Sequence, residues 1–202
     1  MPRPLVHAPG AVLDAAEGLL VERGRASLTV RALADRAGAS NGSIYHSFGS
    51  LETVVGRAWL RRAQQFLVFQ RAAVDEELTG GDGRRAVQAA ADSPARLADQ
   101  DLRAAQLLVT LHRDDVLTDA VAPPVAEQLR ALDAALADTL RLLARRVWNR
   151  SDAAAVDVVT TCVVRLPAAL LFPAIRAGRV SPLPRAQLAA AVGAVLDCGL
   201  PA

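Results

Sequence analysis

TVRALADRAGASNGSIYHSF, residues Thr29 to Phe48, reads as helix, tight turn, helix. Thr29 can cap a short first helix, Val30 to Ala37, because its hydroxyl accepts one of the unpaired N–H groups of the first turn. Val30, Leu33, Ala34 and Ala37 fall on one face at helical spacing and leave Arg31, Asp35 and Arg36 toward solvent. Gly38 ends that helix, since glycine alone takes the left-handed C′ conformation without a steric penalty. Ser40 is the cap for the second helix, whose buried pair is Ile44 and Phe48, four residues apart. Its outer side then carries Asn41, Gly42, Ser43, Tyr45 and His46, a small hydrogen-bonding surface at a helix N-terminus of the kind a major groove admits.

Working outward, the runs Thr29–Ala34, Ala37–Ser40 and Gly42–Ser50 resemble the N-terminal domain of the TetR family of transcriptional regulators. The likeness covers about the first quarter of the chain, and its glycines, serine, tyrosine and phenylalanine stand at the family's offsets. Two residues depart from the pattern: Leu51 stands where a lysine or arginine is usual, and Ser47 where a second histidine is common. The first departure removes an expected phosphate contact. The resemblance implies an all-α fold of about nine helices. A three-helix helix-turn-helix domain, residues 1–50, precedes a helical effector-binding and dimerisation bundle, residues 51–202. Thr29, Arg31, Ser40, Asn41, Gly42, Ser43, Tyr45, His46 and Ser50 form its expected DNA-facing set, with Tyr45 and Thr29 on phosphates and Asn41, Ser43 and His46 near bases.

The 202 residues are rich in alanine and leucine, which favour helix. The chain has no lysine, so all 23 basic residues are arginine, a pattern that GC-rich coding explains without a mechanism. A net charge of +2 neither announces nor excludes nucleic acid. Pro9 and Gly10 interrupt any signal-like apolar run, and no stretch reads as long and uncharged enough to span a bilayer, so a cytoplasmic protein away from membranes is expected. Cys162 and Cys198 lack metal spacing and read as core residues.

In chain order, Pro2, Arg3 and Pro4 mark a loose arm, with Arg3 a candidate backbone contact. A helix from Pro9 to Arg23 buries Val12, Leu13, Ala16, Leu19 and Leu20 and stops at Gly24. Ser50 caps a long helix to Leu78. The cluster Gly80-Gly81-Asp82-Gly83 reads as a linker; it lacks the lysine and hydroxyl of a phosphate loop. A short helix near Arg84–Ala91 and a second one capped by Ser93, with Pro94 at its first position, run toward His112. Arg113, Asp114 and Asp115 form a charged turn. Pro123-Pro124 opens a helix to about Arg146, and Ser151 or Asp152 caps one to about Ala177 that is apolar on more than one face. Pro182 and Pro184 are breaks before a last helix, Leu188 to Leu196. In the family the last two helices pair with their copies in a homodimer.

No serine elbow, zinc spacing, CxxC or nucleotide fingerprint is present, so no catalytic residue, metal or cofactor is expected and the chain does not read as an enzyme. The resemblance implies instead a ligand-responsive regulator, most often a repressor. It would bind an inverted-repeat operator in double-stranded DNA as a homodimer and be released by a small-molecule effector. Arg165, in the middle of the most apolar helix, is expected to be buried and in need of a partner, either an acid of the protein or an anionic effector. Gln106, Thr110, His112, Trp148 and Thr161 are the other candidate effector contacts. The rival reading is a helical bundle that binds or acts on a hydrophobic small molecule without DNA.

Overall fold

The computed structural model describes residues 9–179 and 181–200, so the arm with Arg3, and His7, lie outside the described residues. Among those described there is no strand, and nine helices have eight or more residues. The contacts divide the chain into two compact units. One comprises residues up to Ala63 with Thr110–Ala131, and the other Gln64–Val109 with Leu132 onward.

In the first unit α1 (Pro9–Arg23), α2 (Val30–Ala37), α3 (Asn41–Phe48) and the first part of α4 (Leu51–Thr79) follow the sequence reading closely. Their core is Val12, Ala16, Leu19, Leu20, Leu33, Ile44, Phe48, Val54 and Val55. Amid these apolar side chains lies a carboxylate: Glu17 is 1% exposed. Its Oε1 accepts from Arg61 Nη2 at 2.5 Å, and its Oε2 accepts from Arg62 Nη2 at 2.7 Å, while Asp14 takes a further N–H of Arg61. The ion cluster thus ties α1 to α4. The charged turn is helical, α7 (Arg113–Val116), and Trp59 Nε1 donates to the Leu111 carbonyl at 3.2 Å.

The second unit is built on small residues. Ala86, Ala90, Ala91 and Ala95 of α5 (Gly83–Gln100) pack with Leu143, Val159, Cys162, Ile175, Leu188, Val192 and Leu196 in one cluster. Here the sequence reading is corrected. Residues 84–100 are one helix, not two, and Pro94 lies inside it. Ser93 does not cap; its Oγ donates back to the Ala89 carbonyl at 2.8 Å. A proline at 94 cannot donate to the carbonyl of Ala90, four residues earlier. Gln70 of α4, 2% exposed, supplies that bond instead: its Nε2 reaches the Ala90 oxygen at 3.0 Å. The break comes later, where Asp101 leaves the helical conformation (φ −144°, ψ 84°) and its Oδ1 accepts from Ala104 N to start α6 (Leu102–Thr110).

Gln70→Leu is therefore expected to strand the Ala90 carbonyl and lower stability by about 1–3 kcal/mol. In a Pro94→Ala background the restored N–H serves that carbonyl, and the loss should shrink. Urea melts of the four proteins read the coupling. An equal loss in both backgrounds would rule out the substitution of one donor for the other.

The glycine cluster is a turn rather than a linker. Gly81 has φ 79°, Asp82 accepts from the Arg84 and Arg85 amides, and Gly83 is the first residue of α5. The long helix α8 (Pro123–Trp148) starts at the proline pair as read. The apolar helix after Asp152 is not continuous: α9 (Ala153–Thr160) opens into a wide turn, Thr161–Arg165, before α10 (Leu166–Leu170) and α11 (Phe172–Arg176). In that turn Leu166 N–H bonds Thr161 O, five residues back, just ahead of Pro167, whose missing N–H breaks the regular ladder. Pro182 and Pro184 do not break the last helix but begin it, since α12 runs Pro182–Cys198 and a proline costs little in a first turn.

Candidate nucleic-acid interface and ligand positions

The helix-turn-helix forms from its own local signals. Thr29 Oγ1 accepts from Ala32 N at 3.1 Å and Gly38 closes α2 at φ 67°. Ser40 Oγ accepts from Ser43 N at 3.1 Å to start α3. Burial of Ile44 and Phe48 orients α3, and the other six positions of that helix face water, Tyr45 at 54% exposure.

The hydrogen-bonding capacity left on this surface sorts the candidates. Asn41, Tyr45, His46 and Arg31 are exposed, and their side chains make no hydrogen bond to other described residues. Gly42 is exposed, with open space where a Cβ would stand except for Ser40 Oγ at 3.9 Å. Thr29 and Ser40 accept in their caps, which leaves each hydroxyl hydrogen to donate outward. Ser43 donates to the Ser40 carbonyl at 2.9 Å and keeps only acceptor capacity. Ser50 is the correction in this set. Its Oγ accepts from Thr53 N and donates to the Ala120 carbonyl, both at 3.0 Å, and bonds Thr53 Oγ1, which in turn accepts from Ala122 N. That hydroxyl fastens α4 to the 120–122 turn and has no donor left for phosphate.

The six candidate effector contacts divide between the two units, two in the first and four in the second. Thr110 and His112 are exposed in the first unit; His112 contributes its backbone N–H to Asp115 at 3.0 Å. In the second unit Gln106 donates to the Arg176 carbonyl at 3.3 Å, and Trp148 lies half-buried against the core. Arg165 corrects the expectation of burial: its side chain is 56% exposed. Its Nη2 donates to Asp157 Oδ1 at 2.7 Å and its Nη1 to Thr161 Oγ1 at 2.8 Å. Through its hydrogen bond to Asp157 the guanidinium holds that carboxyl below its usual range. The partner is an acid two turns away on the same helix face, and burial no longer argues for an anionic ligand.

A cleft of about 560 Å³ lies elsewhere in the second unit, between α5 and α12, lined among others by Ala89, Asp92, Arg96, Arg185, Leu188 and Val192, and by none of the six candidates. Arg185 is fixed there by Asp92 and by Asp99, the latter at 2.8 Å. Cys162 is fully buried, and burial pushes its thiol up to about 11, as suits a core residue, whereas Cys198, read as a second core residue, is exposed near the end of α12. Among the described residues no group of acids, histidines and cysteines is placed to hold a metal.

Sequence reasoning missed Glu17. The signal was there: Glu17 stands one turn from Leu13 and from Leu20 on the apolar face of α1, and a carboxylate in that position needs a cation. The consecutive Arg61-Arg62 was its answer.

Residues 12–58 match the family model of bacterial regulatory proteins, tetR family. No curated protein sequence matches the chain. Among solved structures, the TetR family regulator PfmR from Thermus thermophilus is similar at 20% identity and TM-score 0.63, covering 92% of this chain and 97% of that one. A transcriptional regulator from Pseudomonas aeruginosa is similar at 22% identity and TM-score 0.68, covering 95% and 90%. The fatty acid degradation regulator FadR from Bacillus halodurans is similar at 16% identity and TM-score 0.66, covering 96% and 100%.

Proposed function

With a TetR-family N-terminal domain on a chain that has the fold of TetR-type regulators throughout, we propose that this protein is a DNA-binding transcriptional regulator, a repressor that acts as a homodimer on an inverted-repeat operator and leaves it when a small molecule binds. The observation that carries the reading is the outer face of α3, where Asn41, Tyr45 and His46 are exposed with their polar atoms unengaged on a capped helix. Such side chains are available to base edges and phosphates.

The dimer is supported by the segment Ala153–Leu170. It has a mean hydropathy of 1.6 yet only 28% of it is buried, and Val164 and Leu183 are 37% and 65% exposed. The window also has the length and composition of a membrane span, contrary to the sequence reading. Asp157, Arg165 and the turn before Pro167 make lipid a costly neighbour, and a second copy of the chain in the cytoplasm is the cover that fits. The effector is supported by the family likeness and by a cleft of a size that admits a small molecule.

The test is a footprint on the DNA upstream of the protein's own gene, with sedimentation of the free protein. A two-fold symmetric footprint is expected, with half-sites about 34–36 Å apart or a multiple of that spacing. Tyr45→Phe should weaken all sites alike, whereas Asn41→Ala should change the preferred bases by about 1–3 kcal/mol. Leu51, standing where a cation is usual, favours a second reading, a small-molecule-binding bundle that no longer uses DNA. A monomer without a footprint at low salt decides for it.

A further inference from the structure

Most arginines among the described residues of the first unit are already neutralised: Arg25 by Glu52, Arg36 by Glu22, Arg61 and Arg62 by Glu17, and Arg113 by Asp114. Arg23, Arg31, Arg57 and Arg130 have no such partner among the described residues, and of these Arg57 of α4 is the one seated on an aromatic ring. It is exposed, has no carboxylate partner or hydrogen bond among the described residues, and its guanidinium lies 5.4 Å from the centre of the Phe48 ring. Phe48 is the last residue of α3 and is itself only 4% exposed, so the ring is a fixed platform. A cation–π contact does not use up the guanidinium's N–H donors, so they remain available to phosphate oxygens. The charge is thereby held beside the C-terminal end of the helix that presents Asn41 and His46, and in the homeodomain variant of the helix-turn-helix that end of the recognition helix contacts the DNA backbone.

Leu51 and Arg57 lie on the same helix, six residues apart. We propose that Arg57, seated on Phe48, supplies the backbone-phosphate contact that Leu51 cannot make. The proposal rests on the DNA-binding reading and adds a residue that the motif does not contain.

The experiment is fluorescence anisotropy of the full-length protein on a labelled duplex selected by the parent from a randomised library, from 50 to 300 mM KCl. Arg57→Gln should reduce the slope of log affinity against log salt by about 0.9 per subunit, about 1.8 for a symmetric dimer, and weaken binding roughly tenfold or more at 0.1 M salt. The loss should be the same on mutated sites as on the selected one. Arg57→Lys should keep most of the slope, and Leu51→Lys added to Arg57→Gln should restore it. Circular dichroism melts of each variant exclude unfolding as the cause. An unchanged slope in Arg57→Gln, with the parent bound, overturns the role of Arg57 and leaves DNA binding standing. A parent that binds no duplex at 50 mM KCl overturns both.

Discussion

Glu17→Ala is expected to lower stability by about 3–5 kcal/mol, the range for breaking a buried ion pair from one side. The side chain of Glu17 is 2% exposed, while those of Arg61 and Arg62 are 28% and 21% exposed. Removing the carboxylate leaves two adjacent guanidiniums that repel each other, and their partial exposure to water puts the loss at the lower end of that range. Glu17→Gln keeps the shape and loses the charge, and should recover part of the loss through hydrogen bonds. The triple change Glu17→Leu, Arg61→Leu, Arg62→Met should be far more stable than Glu17→Ala alone, because no buried charge is then stranded; Asp14, which loses Arg61, is 66% exposed to water. Urea denaturation followed by circular dichroism measures all three. If Glu17→Ala unfolds at the same urea concentration as the parent, the packing of α1 on α4 rests on apolar contact alone.

Gly83→Ala should be the next most damaging small change. A Cβ at Gly83 would stand 2.6 Å from the Arg146 carbonyl oxygen, 2.8 Å from its carbon and 3.1 Å from Val147 N. These are backbone atoms of α8, which cannot swing aside as a side chain can. The two helices must separate, at a cost of about 2–3 kcal/mol. For a chain of this size that corresponds to a fall in Tm of roughly 5–10 °C. Gly80 is the internal control, since its nearest neighbour would be Glu77 O at an ordinary 3.4 Å and its φ is not in the left-handed region. Gly80→Ala should be neutral or slightly stabilising. Equal Tm values for the two variants would mean that α5 and α8 are not in the close approach described.

The sequence by itself determined α1, α2 and α3 and the surface they show. Thr29, Gly38 and Ser40 act on their own backbones within four residues, so their consequences are legible without knowledge of the rest of the chain. The face of α3 was legible for the same reason: Ile44 and Phe48 fix which way it turns. Tertiary structure decided what depended on partners distant in sequence. Pro94 reads as a helix start because a proline inside a helix orphans a carbonyl, and only the fold brings Gln70 to that carbonyl from twenty residues away. Arg165 reads as buried because its neighbours are apolar, yet the helix turns it outward to Asp157, and much of the apolar surface around it is left outside the core. Ser50 reads as a phosphate contact until the 120–122 turn arrives to take its hydrogen. Glu17 is buried or exposed according to whether Arg61 and Arg62 reach it from 44 and 45 residues along the chain. Caps and periodicity are short-range and survive in the sequence; the neutralisation of a charge or an orphaned carbonyl is a contact, and contacts exist only once the chain has folded.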